Sequence, residues 1–290
     1  MTDVALNIPK PAAAIDRERI AAFGFSLPSL LILVGVFALP LAQLLGVSVV
    51  GPDGKLTFAN YSRLFGTPYY LGVIWNSLRL ALLTTLITLA IGFPASFALA
   101  RARGVLRSLL LATLFLPLAA SVIVKAFAWT ILLRSDGVIN QALMLFGVIH
   151  DPIRMIFTET ALIVGSVNIF LPFMILPIYA VVAQLDHRLS EAAATLGASP
   201  LVAFWRVIVP LTLPGIIAGV ALVFSLSVSA YVVPTLLIGE RYPTLATTIA
   251  KAYLLAREPG FGAAAGVTLL VIAIIVVALS ARLGQQERAR

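Results

Sequence analysis

Between Glu191 and Ile216 the chain reads Glu-Ala-Ala-Ala-Thr-Leu-Gly-Ala-Ser-Pro-Leu-Val-Ala-Phe-Trp-Arg-Val-Ile-Val-Pro-Leu-Thr-Leu-Pro-Gly-Ile. Two long apolar segments flank it. Ser190 is a cap residue, and Glu191 puts a negative charge in the first turn, where the helix dipole favours it. Ala192, Ala193 and Ala194 are strong helix formers. Gly197 supplies a residue that takes positive φ and ends the helix. Ser199 and Pro200 form a second start signal. The second helix is expected to run to about Val209, where Pro210 and Pro214 interrupt it. The reading is a short helix, a tight turn and a second short helix.

The composition marks the chain around this stretch as an integral membrane protein. The 290 residues have a mean hydropathy of +1.06, 61% hydrophobic residues and 11% charged ones. A soluble domain carries about 25% charged residues. Cysteine is absent, which removes disulfides, thiol nucleophiles and thiolate metal sites. Residues 1–22 are polar, and the apolar segment that follows is too long for a signal-peptide core.

Six apolar runs are long enough to cross roughly 30 Å of hydrocarbon. They lie at about Phe23–Leu45, Leu78–Leu99, Ser108–Leu133, Thr160–Val182, Gly215–Ile238 and Ala263–Ala281. The fold class is therefore an all-α membrane protein of six transmembrane helices. Residues 1–22 are expected as a cytoplasmic tail, 23–282 as the transmembrane domain with a cytoplasmic loop at 184–214, and 283–290 as a second tail. An even number of spans puts both termini on one side. The tails and even loops hold eleven basic residues, the odd loops and their edges hold eight, and Lys125 lies within a span. That bias puts the termini, and the Glu191 loop with them, in the cytoplasm.

The sequence also excludes chemistries. No Gly-x-x-x-x-Gly-Lys-[Ser/Thr] is present, since Gly54-Lys55 is followed by Leu56. The only histidines, His150 and His187, fall outside the spans, so a metal site or a Ser-His hydrolase within the bundle is not expected. No catalytic residue, metal ligand or cofactor site is assigned. An ion-coupled secondary transporter, the rival class, would carry Asp or Glu deep in a span, and none is there. Residues 190–209 lack the basic helix of a DNA reader, so no nucleic acid is expected. Four polar positions within spans are candidates for lining a pathway or for hydrogen bonding between helices: Lys125, Asn168, Ser225 and Ser229. Lys125 either faces the bundle or a partner, or snorkels to the interface. Gly215–Gly219 and Gly262–Gly266 are small-residue pairs that let helices approach closely.

The opening stretch resembles the Glu-Ala-Ala loop of permease subunits of bacterial ABC importers. That pattern is Glu-Ala-Ala, three residues, Gly, nine residues, an aliphatic residue, one residue, then an aliphatic residue and Pro. Glu191, Ala192, Ala193, Gly197, Val207, Val209 and Pro210 fill these places. The two valines stand where the family more often has Ile and Leu. The resemblance implies a type I importer bundle in the bacterial inner membrane. It implies that Glu191, Ala192, Ala193, Gly197 and Pro210 belong to a loop docked on cytosolic ATPase subunits. It further implies a second permease subunit and a periplasmic substrate-binding protein, which holds most of the selectivity. Pro152-Ile153-Arg154, Phe170-Leu171-Pro172-Phe173-Met174, Pro210 to Ile216, Ala230 to Pro234 and Leu236 to Gly239 look like the permeases of spermidine/putrescine importers. The expected solute is accordingly a polyamine; related permeases move ferric iron, sulfate or other small solutes.

Overall fold

The computed structural model describes residues 12–51, 53–186 and 188–288. Readings that fall on residues 1–11, Pro52, His187 and residues 289–290 lie outside that range. The elements are α1 (Ala12–Ser48), α2 (Ala59–Gly66), α3 (Pro68–Arg101), α4 (Gly104–Ala119), α5 (Val122–Leu132), α6 (Val138–Leu145) and α7 (Glu159–Val182). They continue with α8 (Arg188–Thr195), α9 (Pro200–Ala203), a π turn (Phe204–Ile208), α10 (Val209–Val228), α11 (Val232–Leu237), α12 (Leu245–Leu254) and α13 (Pro259–Arg288). Among the described residues there is no strand beyond one isolated bridge, Val50 with Leu56.

Five stretches are long and apolar enough to span a membrane: Leu27–Ser48, Pro68–Arg101, Glu159–Val182, Pro200–Val228 and Pro259–Arg282. The sixth crossing expected from sequence, Ser108–Leu133, is not one straight helix. It is the pair α4 and α5, bent by 102°. Pro117 lies in the last turn of α4, and Ser121 starts α5 by accepting from the Ile123 N–H at 3.3 Å. Proline weakens the ladder at one end and a cap opens a new helix at the other.

Three other expectations are corrected. The second span, expected at about Leu78–Leu99, begins ten residues earlier at Pro68, and the separate helix α2 precedes it. The break expected at Pro210 and Pro214 does not occur: helix runs from Pro200 to Val228. The π turn is the physical reason. The Val209 N–H reaches back to the Phe204 carbonyl, which widens the backbone just before Pro210. A proline otherwise strikes the carbonyl four residues back. The fifth span accordingly runs from Pro200 to Val228 instead of Gly215 to Ile238, and residues 232–237 form the separate α11.

The core is built where α3, α7 and α10 meet. Leu80, Ile169, Phe170, Met174, Ile178, Val223 and Leu237 are buried there. Lipid tails are as apolar as these side chains, so close packing rather than water exclusion holds the helices together. Glycines make that packing dense. A Cβ on Gly215 would stand 2.8 Å from the Pro177 carbonyl and 3.0 Å from the Ile178 Cα. Gly219 and Gly92 both press on Met174, which is fully buried. The Gly215–Gly219 pair is thus a helix contact, whereas Gly266 meets the Leu44 methyls at an ordinary 3.7 Å.

The bundle has two distinct ends. At one lie α8, Arg101 and the start of α4. At the other, α2, α11 and α12 pack over the starts of α3, α7 and α13. There Arg63 pairs with Glu258 at 2.7 Å and lies over the Phe261 ring at 4.6 Å. The Leu245 N–H donates to Ser77 Oγ at 2.7 Å, tying α12 to α3. Lys251 lies 2.7 Å from Glu240, and its hydrogen bond holds the Glu240 carboxyl below its ordinary range.

Candidate functional site: the Glu191 loop and the polar strip

α8 stands apart from the membrane core and packs against α9 and the π turn. It starts at Arg188, three residues before Glu191, where a helix capped by Ser190 would begin. The Arg188 N–H donates to Asp186 Oδ1 at 2.9 Å. Asp186 is thus a capping residue that the sequence reading missed, although aspartate is a favoured cap. The helix ends as expected. Gly197 has φ +83°, the Gly197 N–H donates to the Ala194 carbonyl at 2.9 Å, and the Ala198 N–H donates to the Ala193 carbonyl at 3.0 Å. Those two bonds make a Schellman closure with glycine at its left-handed position. A Cβ at Gly197 would meet nothing within 4 Å, so the demand for glycine is conformational and not steric. Ser199 starts the next helix by accepting from the Val202 N–H at 3.4 Å.

These turns set the surface that α8 offers. Glu191 and Ala192 are exposed, Ala193 is half-buried, and Leu196 is 88% exposed. Pro210 is half-buried, just past the π turn. Next to it is an aromatic cluster that the sequence reading also missed. Phe204 lies 5.8 Å from Phe97 and 6.2 Å from Phe93, ring to ring, and 5.6 Å from Trp205. Aromatic spacing on separate helices gives no sequence signal that the rings meet. The cluster joins the segment after α8 to the same end of α3, and α9, the π turn and α10 continue without a break into the core.

The four polar candidates separate into two groups. Asn168 is exposed on α7, and its Oδ1 accepts from Trp129 Nε1 at 3.2 Å. Lys125 lies one turn before Trp129 on α5 and is half-buried. Trp129 was not picked out from sequence. Ser225 and Ser229 share a face of α10, as their spacing implies, but they do not act alike. Ser229 Oγ donates to the Ser225 carbonyl at 2.7 Å and closes the end of its own helix. Ser225 Oγ is buried without a hydrogen-bond partner among the described residues. Among those residues no cluster of three or more His, Asp or Glu stands close enough to hold a metal ion.

Comparison with known proteins adds to this geometry. Residues 92–288 match the family described as binding-protein-dependent transport system inner membrane component. The chain is 37% identical over 245 residues to the spermidine/putrescine transport system permease protein PotB of Haemophilus influenzae, covering 82% of this chain and 85% of the relative. It is 38% identical over 240 residues to PotB of Escherichia coli, covering 81% and 87%. A bacterial alginate ABC transporter, solved with a pentasaccharide-bound periplasmic protein, matches with a TM-score of 0.78 at 18% identity. The match covers 96% of this chain and 98% of that one. At that identity the match speaks for the fold, a type I importer bundle.

Proposed function

The chain belongs to the binding-protein-dependent transport system inner membrane components, and from that membership we propose that it forms one half of a polyamine pathway driven through α8. It is a multi-pass permease subunit, not an enzyme. The observation that carries the solute is the similarity to spermidine/putrescine permeases over about four fifths of the chain. Its assembly comprises a second permease subunit, cytosolic ATPase subunits and a periplasmic binding protein. An ion-coupled carrier is set aside by the family membership. The ferric iron and sulfate alternatives lose ground to the polyamine relatives.

Glu191, Ala192, Ala193 and Gly197 are the contact with the ATPase. The small alanine face permits close docking, and Glu191 is placed to pair with a basic residue across the interface. The Gly197 turn fixes α8 against the helix that follows. A displacement of α8 then passes along α9, the π turn and α10, and through Phe204 to Phe93 and Phe97 on α3. Both helices belong to the central core, so one push at α8 moves two walls of the bundle. π turns occur often at functional positions, and here the turn lies between lever and core.

The basic-residue bias supports cytoplasmic termini, with α8 on the same side. A polycation meets no carboxylate deep in the spans of this chain, and Glu159, at the edge of one, is paired with Arg79. Recognition of its charge therefore falls to the other components. The test is uptake of labelled putrescine and spermidine into proteoliposomes holding the complete assembly, with and without ATP inside the ATPase compartment. ATP-dependent uptake of either supports the reading. Uptake of neither, in an assembly that hydrolyses ATP in response to its binding protein, overturns the solute.

A further inference from the structure

A cavity of about 560 Å³ opens at the end away from α8, between the end of α1, α2 and the start of α13. The spans beside it set its level. Val47 is the last residue but one of the span Leu27–Ser48, and Phe261 is the third residue of the span Pro259–Arg282. Both line the cavity. Its polar wall comes from outside the spans: Asn60 and Arg63 of α2, and Arg257 and Glu258 between α12 and α13. The cavity therefore sits where hydrocarbon gives way to headgroups. Leu41, Leu45 and Val47 of α1 are exposed, so the apolar edge of the cavity continues onto the uncovered apolar surface of that helix.

Arg63 is already engaged. Its Nη1 donates to Glu258 Oε2 at 2.7 Å, and its guanidinium lies over the Phe261 ring. Arg257 is not: among the described residues its side chain has no hydrogen bond or ion pair. Its backbone stands at φ +53°, the left-handed position where a helix end ordinarily takes glycine or asparagine. The Ala256 N–H donates to the Lys251 carbonyl and the Glu258 N–H to the Ala252 carbonyl, both at 3.0 Å, so the turn that closes α12 holds Arg257 there. The chain thus keeps a free guanidinium at this wall against backbone preference. Arg63 and Glu258 cancel, which leaves the cavity with one positive charge in surplus. Acceptors remain as well. Asn60 Nδ2 donates to the Ser48 and Val50 carbonyls at 3.1 and 3.2 Å, which leaves its Oδ1 to accept. Glu258 keeps its Oε1.

We infer that this cavity binds the headgroup of an anionic phospholipid. The phosphodiester pairs with Arg257, headgroup hydroxyls donate to Asn60 Oδ1 and Glu258 Oε1, and the first acyl carbons lie against Val47 and Phe261. One phosphodiester neutralises the surplus charge, whereas the added ammonium of a zwitterionic headgroup restores it. A free phosphate leaves the apolar wall unused, and a lipid does not. A lipid held here joins α1, α2 and the start of α13 at the membrane surface. The inference needs only that the chain spans a membrane, so it stands apart from the polyamine reading.

Lipid binding to the complete assembly, delipidated in detergent, tests it. The assembly is titrated with phosphatidylglycerol, with phosphatidylethanolamine and with a phosphate-free glycosyl diacylglycerol, and native mass spectrometry counts the bound lipid. Only this chain is varied, so lipids bound elsewhere cancel in the comparison. The wild type should hold phosphatidylglycerol more tightly than the other two. Arg257→Gly and Arg257→Asn should weaken that binding about tenfold, and Arg257→Lys should keep most of it. Glycine and asparagine both suit φ +53°, so the lipid-free melting temperature should stay at or above that of the wild type. The rise in melting temperature that phosphatidylglycerol gives the wild type should shrink in both. Equal phosphatidylglycerol binding by the wild type and Arg257→Gly overturns the inference. So does equal binding of the three lipids. So does displacement of phosphatidylglycerol by millimolar inorganic phosphate, which would make this a site for soluble anions. A lipid-free melting temperature well below wild type in both variants would make Arg257 a structural residue and overturn it too. Loss of binding-protein-stimulated ATP hydrolysis in Arg257→Gly, with lipid binding unchanged, would instead give the cavity to an acidic side chain of that protein.

Discussion

Arg79 of α3 and Glu159 at the start of α7 form an ion pair, Nη2 to Oε2, at 2.6 Å. The side chains are 39% and 27% exposed, so the pair lies at the rim of the core and not within it. It ties α3 to α7, the helix that carries Met174, at the end away from α8. In a double-mutant cycle, Arg79→Ala and Glu159→Ala should show a coupling of about 0.2–1 kcal/mol, the range of partly exposed pairs. Thermal unfolding of the purified complex measures it. Strict additivity of the two changes would contradict the pairing.

Gly215 is the position where α10 has least room against α7. A side chain there meets backbone, the Pro177 carbonyl and the Ile178 Cα, neither of which swings away. Gly215→Val should destabilise the folded subunit by about 1–3 kcal/mol, the usual range for overpacking. At Gly266, where only the Leu44 methyls are near, Gly266→Ala should be close to neutral. Comparing the melting temperatures of the two variants checks the contrast, and equal losses would contradict it.

Much of this was legible in the sequence, and the reasons differ from part to part. The spans appear as long apolar runs because the bilayer demands length and composition together. The Glu191 loop appears because a cap, three alanines and a glycine at fixed offsets encode a helix and its stop. The α4–α5 bend was hidden because Pro117 and Ser121 fall within one continuous apolar run. The π turn was hidden because it removes the break that Pro210 signals. The Trp129–Asn168 and Arg79–Glu159 contacts join residues 39 and 80 positions apart, which only the packing of helices brings together. Each partner was noted or passed over singly, since a polar residue in a span carries no mark of what it meets.

The orientation of the bundle is open to direct test. Six crossings, with α4 and α5 counted as one, put the α8 loop and both termini on the same side. Reporter fusions after Arg107, after Asp186 and at the C-terminus should all report cytoplasm. A periplasmic signal at any of these would contradict either the crossing count or the proposed orientation.

Glu191 should matter less than Gly197. An ion pair formed by an exposed glutamate is partly solvated, so Glu191→Ala should weaken ATPase docking only a few-fold. Co-purification of the ATPase at matched permease levels gives the number. Loss as complete as that caused by a change in the turn itself would mean that Glu191 anchors the interface.

The central claim is that α8, held by the Gly197 turn, couples ATP hydrolysis to the core. A Cβ at Gly197 meets nothing within this subunit, so Gly197→Asn, which adds a side chain without the strain, is the control for a clash with the ATPase. A β-branched residue at φ +83° is strained, whereas asparagine tolerates the left-handed region. The deciding measurement is ATP-dependent polyamine uptake, with ATPase co-purification, for Gly197→Val and Gly197→Asn in the reconstituted assembly. The account predicts that Gly197→Val inserts normally but loses docking and uptake, while Gly197→Asn keeps most of both. Normal docking and uptake in Gly197→Val would contradict it.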